Sequence, residues 1–283
     1  MSTDQDYSQA VEVAREYYNS DDADNFYSII WGGEDIHVGM YRSDEEPIFD
    51  ASRRTVAHMA GRVKSYLGPD ARVLDIGAGY GGAARYLAKT YGCRVAALNL
   101  SEVENERDRK MNAEQGVDHL IEVVDASFEE VPYPDASFDV VWSQDAILHS
   151  GDRPKVLQEV LRLMRSGGRF VFTDPMAADD CPPGVLSPIL ERIHLDSLGS
   201  PGWYIDTLQE LGLIDEGYED HAHQLTNHYS RVLRELESRE DELQGRVSAQ
   251  YVERMKKGLR HWIEGGRNGY LAWGVFLFSK PGS

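Results

Sequence analysis

Residues 73–82 have the sequence Val73-Leu74-Asp75-Ile76-Gly77-Ala78-Gly79-Tyr80-Gly81-Gly82, and this stretch decides the fold. Its first four residues form an apolar run with one carboxylate, which is typical of a parallel strand buried on both faces. The glycines that follow allow the backbone to turn sharply and to approach a ligand closely, before residues 83–87 open a helix. The stretch therefore predicts a strand, a turn and a helix that hold a nucleotide-like cofactor.

The glycine spacing fits two classes of cofactor. Gly77, Gly79 and Gly82 match the G-x-G-x-x-G of dinucleotide-binding proteins, and Gly77, Gly79 and Gly81 match G-x-G-x-G. Asp75 at the strand end separates the two, because a pyrophosphate is disfavoured beside a carboxylate. S-adenosylmethionine carries a sulfonium and an ammonium group and no phosphate, so a carboxylate offsets its charge. The sequence therefore favours S-adenosylmethionine.

Length and charge restrict the function further. The 283 residues, 41% of them hydrophobic, suffice for one α/β core with additional elements. A net charge of −19 argues against a nucleic-acid substrate. We expect a cytoplasmic protein without a membrane partner, since no long apolar run or signal peptide is present. Cys93 and Cys181 lack metal-ligand spacing, so we expect no metal site and no disulfide.

Strands and helices alternate through the middle of the chain. Strand-like segments lie at 94–99, 120–124, 138–142 and 169–173, with helices at 104–115 and 154–164 between them. This alternation predicts an α/β fold with a doubly wound, mostly parallel seven-stranded sheet, closed by a reversed strand at 270–278. Helices are also expected over 7–18 and 52–67.

Four regions follow from this pattern. We expect an N-terminal helical segment that covers the active site (1–67), a Rossmann-like cofactor-binding core (68–175), helical cap or lid insertions interleaved with the sheet (176–265) and a closing strand (266–283).

The ordered strand-end motifs resemble those of the class I S-adenosylmethionine-dependent methyltransferases. The motif at 74–82 is followed by Asn99 and Leu100 after the second strand, and by Asp125-Ala126-Ser127 after the third. The resemblance implies that Asp125 and its neighbours bind adenine, and that Gln144 and the fourth strand end lie near the transferred methyl group. At the position of Asn99 an acidic residue usually accepts hydrogen bonds from the ribose hydroxyls. The amide of Asn99 can still form hydrogen bonds with these hydroxyls, or it caps the next helix.

Beyond these motifs the chain resembles the sarcosine/dimethylglycine N-methyltransferases that make glycine betaine, and less closely the phosphoethanolamine methyltransferases. The resemblance covers nearly the whole chain and includes residues 26–37, 142–150, 192–201 and 268–274. It implies conversion of dimethylglycine into glycine betaine, with sarcosine as a further candidate substrate and S-adenosylhomocysteine as the second product.

Three alternatives remain open. A phosphoethanolamine or other small-amine methyltransferase ranks second, because a phosphate would need several basic residues in an acidic cap. An NAD-dependent oxidoreductase should have an acid at position 99 and none at 75. A non-catalytic cofactor-binding regulator is disfavoured by the intact segment from Gln144 to His149.

Proton removal is the first demand of the chemistry, because an alkyl ammonium has a pKa of about 10 and cannot attack the methyl group while protonated. Asp145 and His149 are four residues apart and would share a helix face, where they can take this proton. Alternatively, Asp145 caps the helix and His149 is a packed core residue. The resemblance adds Tyr27 as a third catalytic residue.

Substrate recognition needs aromatic faces for the growing positive charge and a cation for the carboxylate. We expect the faces from Tyr27, Trp31, Trp203 and Tyr204, with at least one of these four in the ordinary core. Arg192 and His194 are the first candidates for the carboxylate, ahead of Arg42 and Arg53.

Overall fold

The computed structural model describes Arg15 and residues 19–282. The helix expected over 7–18 lies outside the described residues, apart from Arg15. Among the residues that are described, no helix is long and apolar enough to cross a membrane.

A seven-stranded sheet of order β3-β2-β1-β4-β5-β9-β7 forms the core, and β6 and β8 make a separate pair. Strands β1 to β5 are parallel, whereas β9 runs antiparallel to both β5 and β7. The predicted doubly wound, mostly parallel seven-stranded sheet is thus confirmed. The strands are β1 (Arg72–Ile76), β2 (Arg94–Asn99), β3 (Ile121–Asp125), β4 (Phe138–Gln144), β5 (Met164–Thr173), β6 (Met176–Ala177), β7 (Ile214–Asp220), β8 (Leu271–Ala272) and β9 (Gly274–Ser279).

Helices cover both faces of this sheet. They are α1 (Asp21–Ile30), α2 (Ile48–Arg62), α3 (Gly82–Tyr91), α4 (Glu102–Glu114), α5 (Arg153–Leu163), α6 (Ser187–Ile193), α7 (Pro201–Glu210), α8 (Ala222–Ser238), α9 (Glu240–Leu243) and α10 (Ala249–Arg267). Because side chains alternate along a strand, Val73 of β1 packs with α2 and α3, whereas Leu74 packs with α5 and α7.

The N-terminal helix and the cap form one apolar cluster. Phe26 and Ile30 of α1 pack against Leu236 of α8 and against Met255 and Leu259 of α10. Since α1 and the cap helices bury each other, α1 is fixed above the carboxyl ends of the strands, where a doubly wound sheet binds its ligands.

Two strands differ from the sequence-based expectation. Strand β7 was not predicted within the range 176–265, because it is acidic and largely exposed at the sheet edge. The closing segment is also divided in two: Trp273 interrupts the ladder between β8 and β9, and its side chain is fully buried.

Candidate active site

The glycine turn brings the N-terminal segment close to the first strand. Gly77, Gly79 and Gly81 all have positive φ values, of 77°, 54° and 71°. A Cβ at Gly82 would lie 2.0 Å from Oδ1 of Asp35. The glycines therefore allow both the turn itself and the approach of Asp35, a residue that is distant in sequence.

Two buried carboxylates flank this turn. Asp75 and Asp35 are each 2% exposed, and within the described part of the chain Oδ2 of Asp75 and both oxygens of Asp35 lack hydrogen bonds. Nη2 of Arg53 lies 3.0 Å from Oδ2 of Asp35, and Nε2 of His37 lies 3.7 Å from its Oδ1. Burial, with the charges of Asp108 and Asp35, raises the pKa of Asp75 to about 8. The pair is suited to bind a cation that enters from outside the protein.

A small cavity connects these acids with the fourth strand. Asp75, Gly77 and Gln144, all predicted cofactor residues, line it together with Asp35 and His37. Sequence reasoning missed Asp35 and His37. Both lie in the segment 26–37 that carried the family resemblance, but nothing local connected that segment with the glycine turn.

Further along the same sheet edge, Asn99 and Asp125 are partners in register on β2 and β3. The amide of Asn99 donates to buried Glu104 at 2.8 Å, and burial raises the pKa of Glu104 to about 7. Asn105 donates to Oδ1 of Asp125 at 2.6 Å. The cap of α4 is Ser101, so the alternative that Asn99 caps this helix is wrong.

The remaining predicted cofactor residues lie near this edge. Leu100 is half-buried beside Asn99, and Ala126 and Ser127 are buried directly after Asp125. Gly79 lies against Ile36, whose Cδ1 would be 3.0 Å from an added Cβ.

A cavity of about 770 Å³ lies between this edge and the cap. Six predicted catalytic or substrate residues line it: Tyr27, Trp31, Asp145, His149, Arg192 and His194. The structure thus brings together side chains from α1, the end of β4 and α6.

Four predicted substrate residues lie elsewhere. Tyr204 is fully buried in the core and donates its hydroxyl to Asp174 at 2.7 Å, and Trp203 packs edge-on against it. The prediction that they bind the substrate is therefore wrong, because both residues lie on the apolar side of α7, which packs against the core. Arg42 is exposed, and Arg53 forms ion pairs with Glu34 and Asp35 beside the glycine turn.

Asp145 connects three parts of the chain. It has a left-handed φ of 53° and accepts hydrogen bonds from Val38 N (2.6 Å), Thr173 Oγ1 (2.8 Å) and Trp273 Nε1 (2.8 Å). Because residue 145 is left-handed and 147–149 form a 3₁₀ turn, the predicted shared helix face with His149 is wrong. Both side chains nevertheless reach the cavity.

His149 is neutral at physiological pH. Burial lowers its pKa to about 4, since a charged imidazole is disfavoured away from water. A neutral imidazole is able to accept a proton from a nearby ammonium group. Burial thus keeps His149 neutral but also makes it a weaker base, whereas burial raises the pKa of Asp145, which already accepts three hydrogen bonds.

Arg192 is the unusual cation of the cavity. Its side chain is half-buried, and Nη2 lies 2.8 Å from Sδ of Met255. Across the described residues no carboxylate forms an ion pair with it. Arg254 and Lys257 on α10 also line the cavity, and sequence reasoning missed them, although their i, i+3 spacing places both on one helix face.

This fold, with acids beside the glycine turn and an acceptor cavity beyond it, defines a class I S-adenosylmethionine-dependent methyltransferase. A family described as "Methyltransferase domain" matches residues 74–172. The chain is 67% identical to a sarcosine/dimethylglycine N-methyltransferase of Halorhodospira halochloris, over 96% of this chain and 97% of that protein. It is 55% identical to another from Aphanothece halophytica, over 95% and 96%.

A solved structure agrees with these relatives. A protein of Galdieria sulphuraria, provisionally described as a sarcosine dimethylglycine methyltransferase, superposes with a TM-score of 0.90 at 43% identity, over 94% of this chain and 100% of that one. The chain belongs to the sarcosine/dimethylglycine N-methyltransferase family, and it is an S-adenosylmethionine-dependent N-methyltransferase.

The residues present fit the cofactor. Its ammonium group would bring a positive charge to Asp75 and to the Oδ1 side of Asp35, and its ribose hydroxyls would suit the amide and carboxylate of Asn99 and Glu104. When bound, the cofactor supplies an activated methyl group.

Proposed function

We propose that the enzyme methylates dimethylglycine to glycine betaine. The observation that carries this proposal is the acceptor cavity, which Tyr27, Trp31 and Arg192 line together. Arg192 is a half-buried cation without a carboxylate partner among the described residues. Dimethylglycine has the complementary groups: an amine that becomes a quaternary cation, and a carboxylate two bonds away. The names of the related enzymes support the same acceptor.

His149 acts first in the proposed mechanism. The acceptor enters largely as an ammonium ion; burial in the cavity lowers the pKa of this ammonium as it does that of His149, and the neutral imidazole then takes its proton. The freed nitrogen lone pair then forms a bond to the methyl carbon while the carbon–sulfur bond breaks, and its electrons remain on sulfur. No further proton leaves, because the product nitrogen is quaternary. Asp145 serves by fixing the backbone of Val38 against the strand ends.

Tyr27 and Trp31 stabilise the growing positive charge, at about 0.5 to 2 kcal/mol for each face. Their ring centroids are 5.1 Å apart and their planes are inclined by 55°, so they form two sides of a corner. Arg192, assisted by His194, holds the substrate carboxylate. Positioning within a water-poor cavity supplies the rest of the rate enhancement.

Phosphoethanolamine is the competing acceptor. The general acidity of the chain disfavours a phosphate, yet Arg254 and Lys257 also face the cavity, so charge alone does not separate the two substrates. The closeness of the sarcosine/dimethylglycine relatives favours dimethylglycine.

One assay tests the acceptor. Labelled S-adenosylmethionine is supplied with glycine, sarcosine, dimethylglycine or phosphoethanolamine at matched concentrations. We expect the highest kcat/KM with dimethylglycine, and the sarcosine arm decides whether that amine is also used. Faster methylation of phosphoethanolamine would overturn the proposal. Since methyl transfer from a sulfonium needs no Lewis acid, we also expect full activity in the presence of a chelator.

A further inference from the structure

His37 lies at the junction of the two cavities. It lines the small cavity beside Asp75 and also the large acceptor cavity, and it is 9% exposed. Its backbone is held on both sides, because its carbonyl accepts from Ser52 Oγ at 3.0 Å and the next amide, that of Val38, donates to Asp145. The imidazole is therefore a fixed group at the place where cofactor and acceptor meet.

A relay from the fourth strand determines which ring nitrogen carries the proton. Nε1 of Trp142 can only donate, so the atom of Gln144 that lies 3.0 Å from it must be the carbonyl oxygen Oε1. The amide nitrogen of Gln144 consequently faces Nδ1 of His37 at 3.2 Å and donates to it. The carbonyl of Val38 is farther from Nδ1, at 3.4 Å, and already accepts from Thr55.

Nδ1 is thus an acceptor, and the proton of the neutral ring resides on Nε2. Within the described residues this Nε2 has no hydrogen-bond partner. The Oδ1 atom of Asp35 lies 3.7 Å away, which is too far for a hydrogen bond. A buried donor without an acceptor is costly, and it indicates a ligand that supplies one.

The polar groups around the small cavity match an α-amino acid. Oδ1 of Asp35 and Oδ2 of Asp75, which have no hydrogen bond within the described residues, are available to an ammonium group, and His37 offers an N–H for a carboxylate. We propose that His37 donates from Nε2 to the carboxylate of the cofactor's methionine portion, with Trp142 and Gln144 holding it in the required tautomer. The proposal rests on the cofactor of the proposed function and does not depend on which amine is the acceptor.

The experiment compares two cofactor analogues by calorimetry. S-adenosylhomocysteine contains the amino-acid portion, whereas 5′-methylthioadenosine contains the same nucleoside and thioether without it. His37→Ala should weaken S-adenosylhomocysteine on the order of 10- to 100-fold, because a charge-assisted hydrogen bond is lost, and leave methylthioadenosine nearly unchanged. His37→Asn, which keeps an N–H donor, should recover part of the loss. Exposed His119, replaced by asparagine, is the matched control.

Each other outcome has a defined meaning. Equal losses for both analogues would show general damage to the site, and no loss for either would show that Nε2 binds nothing; both overturn the proposal. A raised KM for the amine acceptor with unchanged S-adenosylhomocysteine affinity would assign the donor to the acceptor's carboxylate instead. Nitrogen-15 spectra of labelled histidine should show the His37 signal, identified by its loss in His37→Asn, as the Nε2-protonated tautomer. A failed amine assay would leave these binding results intact.

Discussion

Replacing Gly258 by alanine should selectively damage acceptor recognition. Gly258 lies in α10, and an added Cβ would be 2.2 Å from Nε of Arg192, 2.3 Å from Cζ and 2.6 Å from Cδ. Carbon atoms in contact are normally 3.5 to 4 Å apart, so the guanidinium must leave its place. The helix itself should not suffer, because alanine favours helix over glycine by about 1 kcal/mol.

The size of the effect follows from the interaction that is lost. A hydrogen bond to a charged group contributes about 1.5 to 3 kcal/mol, which corresponds to a 10- to 150-fold fall in kcat/KM for dimethylglycine. We expect most of it as a higher KM in initial-rate assays. Calorimetry should show unchanged affinity of Gly258→Ala for S-adenosylhomocysteine.

The matched control is Gly61→Ala in α2, an exposed helical glycine whose added Cβ would have nothing within 4 Å. It should leave all constants near the wild type. An unchanged KM in Gly258→Ala would refute the assignment of Arg192 as the carboxylate anchor. A parallel loss of S-adenosylhomocysteine affinity would instead indicate a distorted cap.

Three further outcomes are expected. Burial raises the pKa of Asp75 to about 8, so the carboxyl is protonated in the empty enzyme below that pH. S-adenosylhomocysteine should therefore bind more tightly as the pH rises from 6 to 8 and release a proton, and a flat calorimetric profile would contradict this. Asp75→Ala should weaken binding about tenfold or more. His149→Ala should lower kcat on the order of 10²-fold without changing cofactor affinity, and alkaline pH should restore part of the rate. Near-normal turnover of this variant at neutral pH would show that His149 is not the proton acceptor and that catalysis depends on positioning and desolvation. Trp273→Phe removes one hydrogen-bond donor to Asp145 and should lower the free energy of unfolding by about 1 to 3 kcal/mol in denaturant titrations. An unchanged free energy of unfolding would show that this hydrogen bond does not stabilise the fold.

The sheet and the glycine turn were predictable because their signals are local. An apolar strand, a left-handed turn and a helix start are encoded within residues 73–87, and the alternation of elements fixes the strand direction. Asp35 and His37 were missed because they reach the cofactor cavity through the fold and have no motif of their own. Periodicity also could not reveal the left-handed backbone at Asp145, where the expected helix is replaced by a tight turn.

Residues of the acceptor cavity were predicted with mixed success. Tyr27 and Arg192 face it, but Tyr204 is buried beneath the sheet, because an aromatic residue on an amphipathic helix has the same sequence signature in a core as in a binding site. Among the residues that the structure describes, Arg192 has no carboxylate partner, and this depends on its three-dimensional neighbours. It could be recognised only once α6 and α10 were placed side by side.

The buried acids beside the glycine turn have a consequence for the life of the protein in the cell. Within the described residues, Asp35 and Asp75 bury oxygens that have no hydrogen bond, so the enzyme without cofactor carries a desolvation penalty that an incoming ammonium group removes. A ligand present at 100 times its dissociation constant adds about 2.7 kcal/mol to the free energy of unfolding. When the methyl donor becomes scarce, the empty chains should unfold and be degraded faster. We therefore expect the abundance of the enzyme to follow the supply of the donor that it consumes.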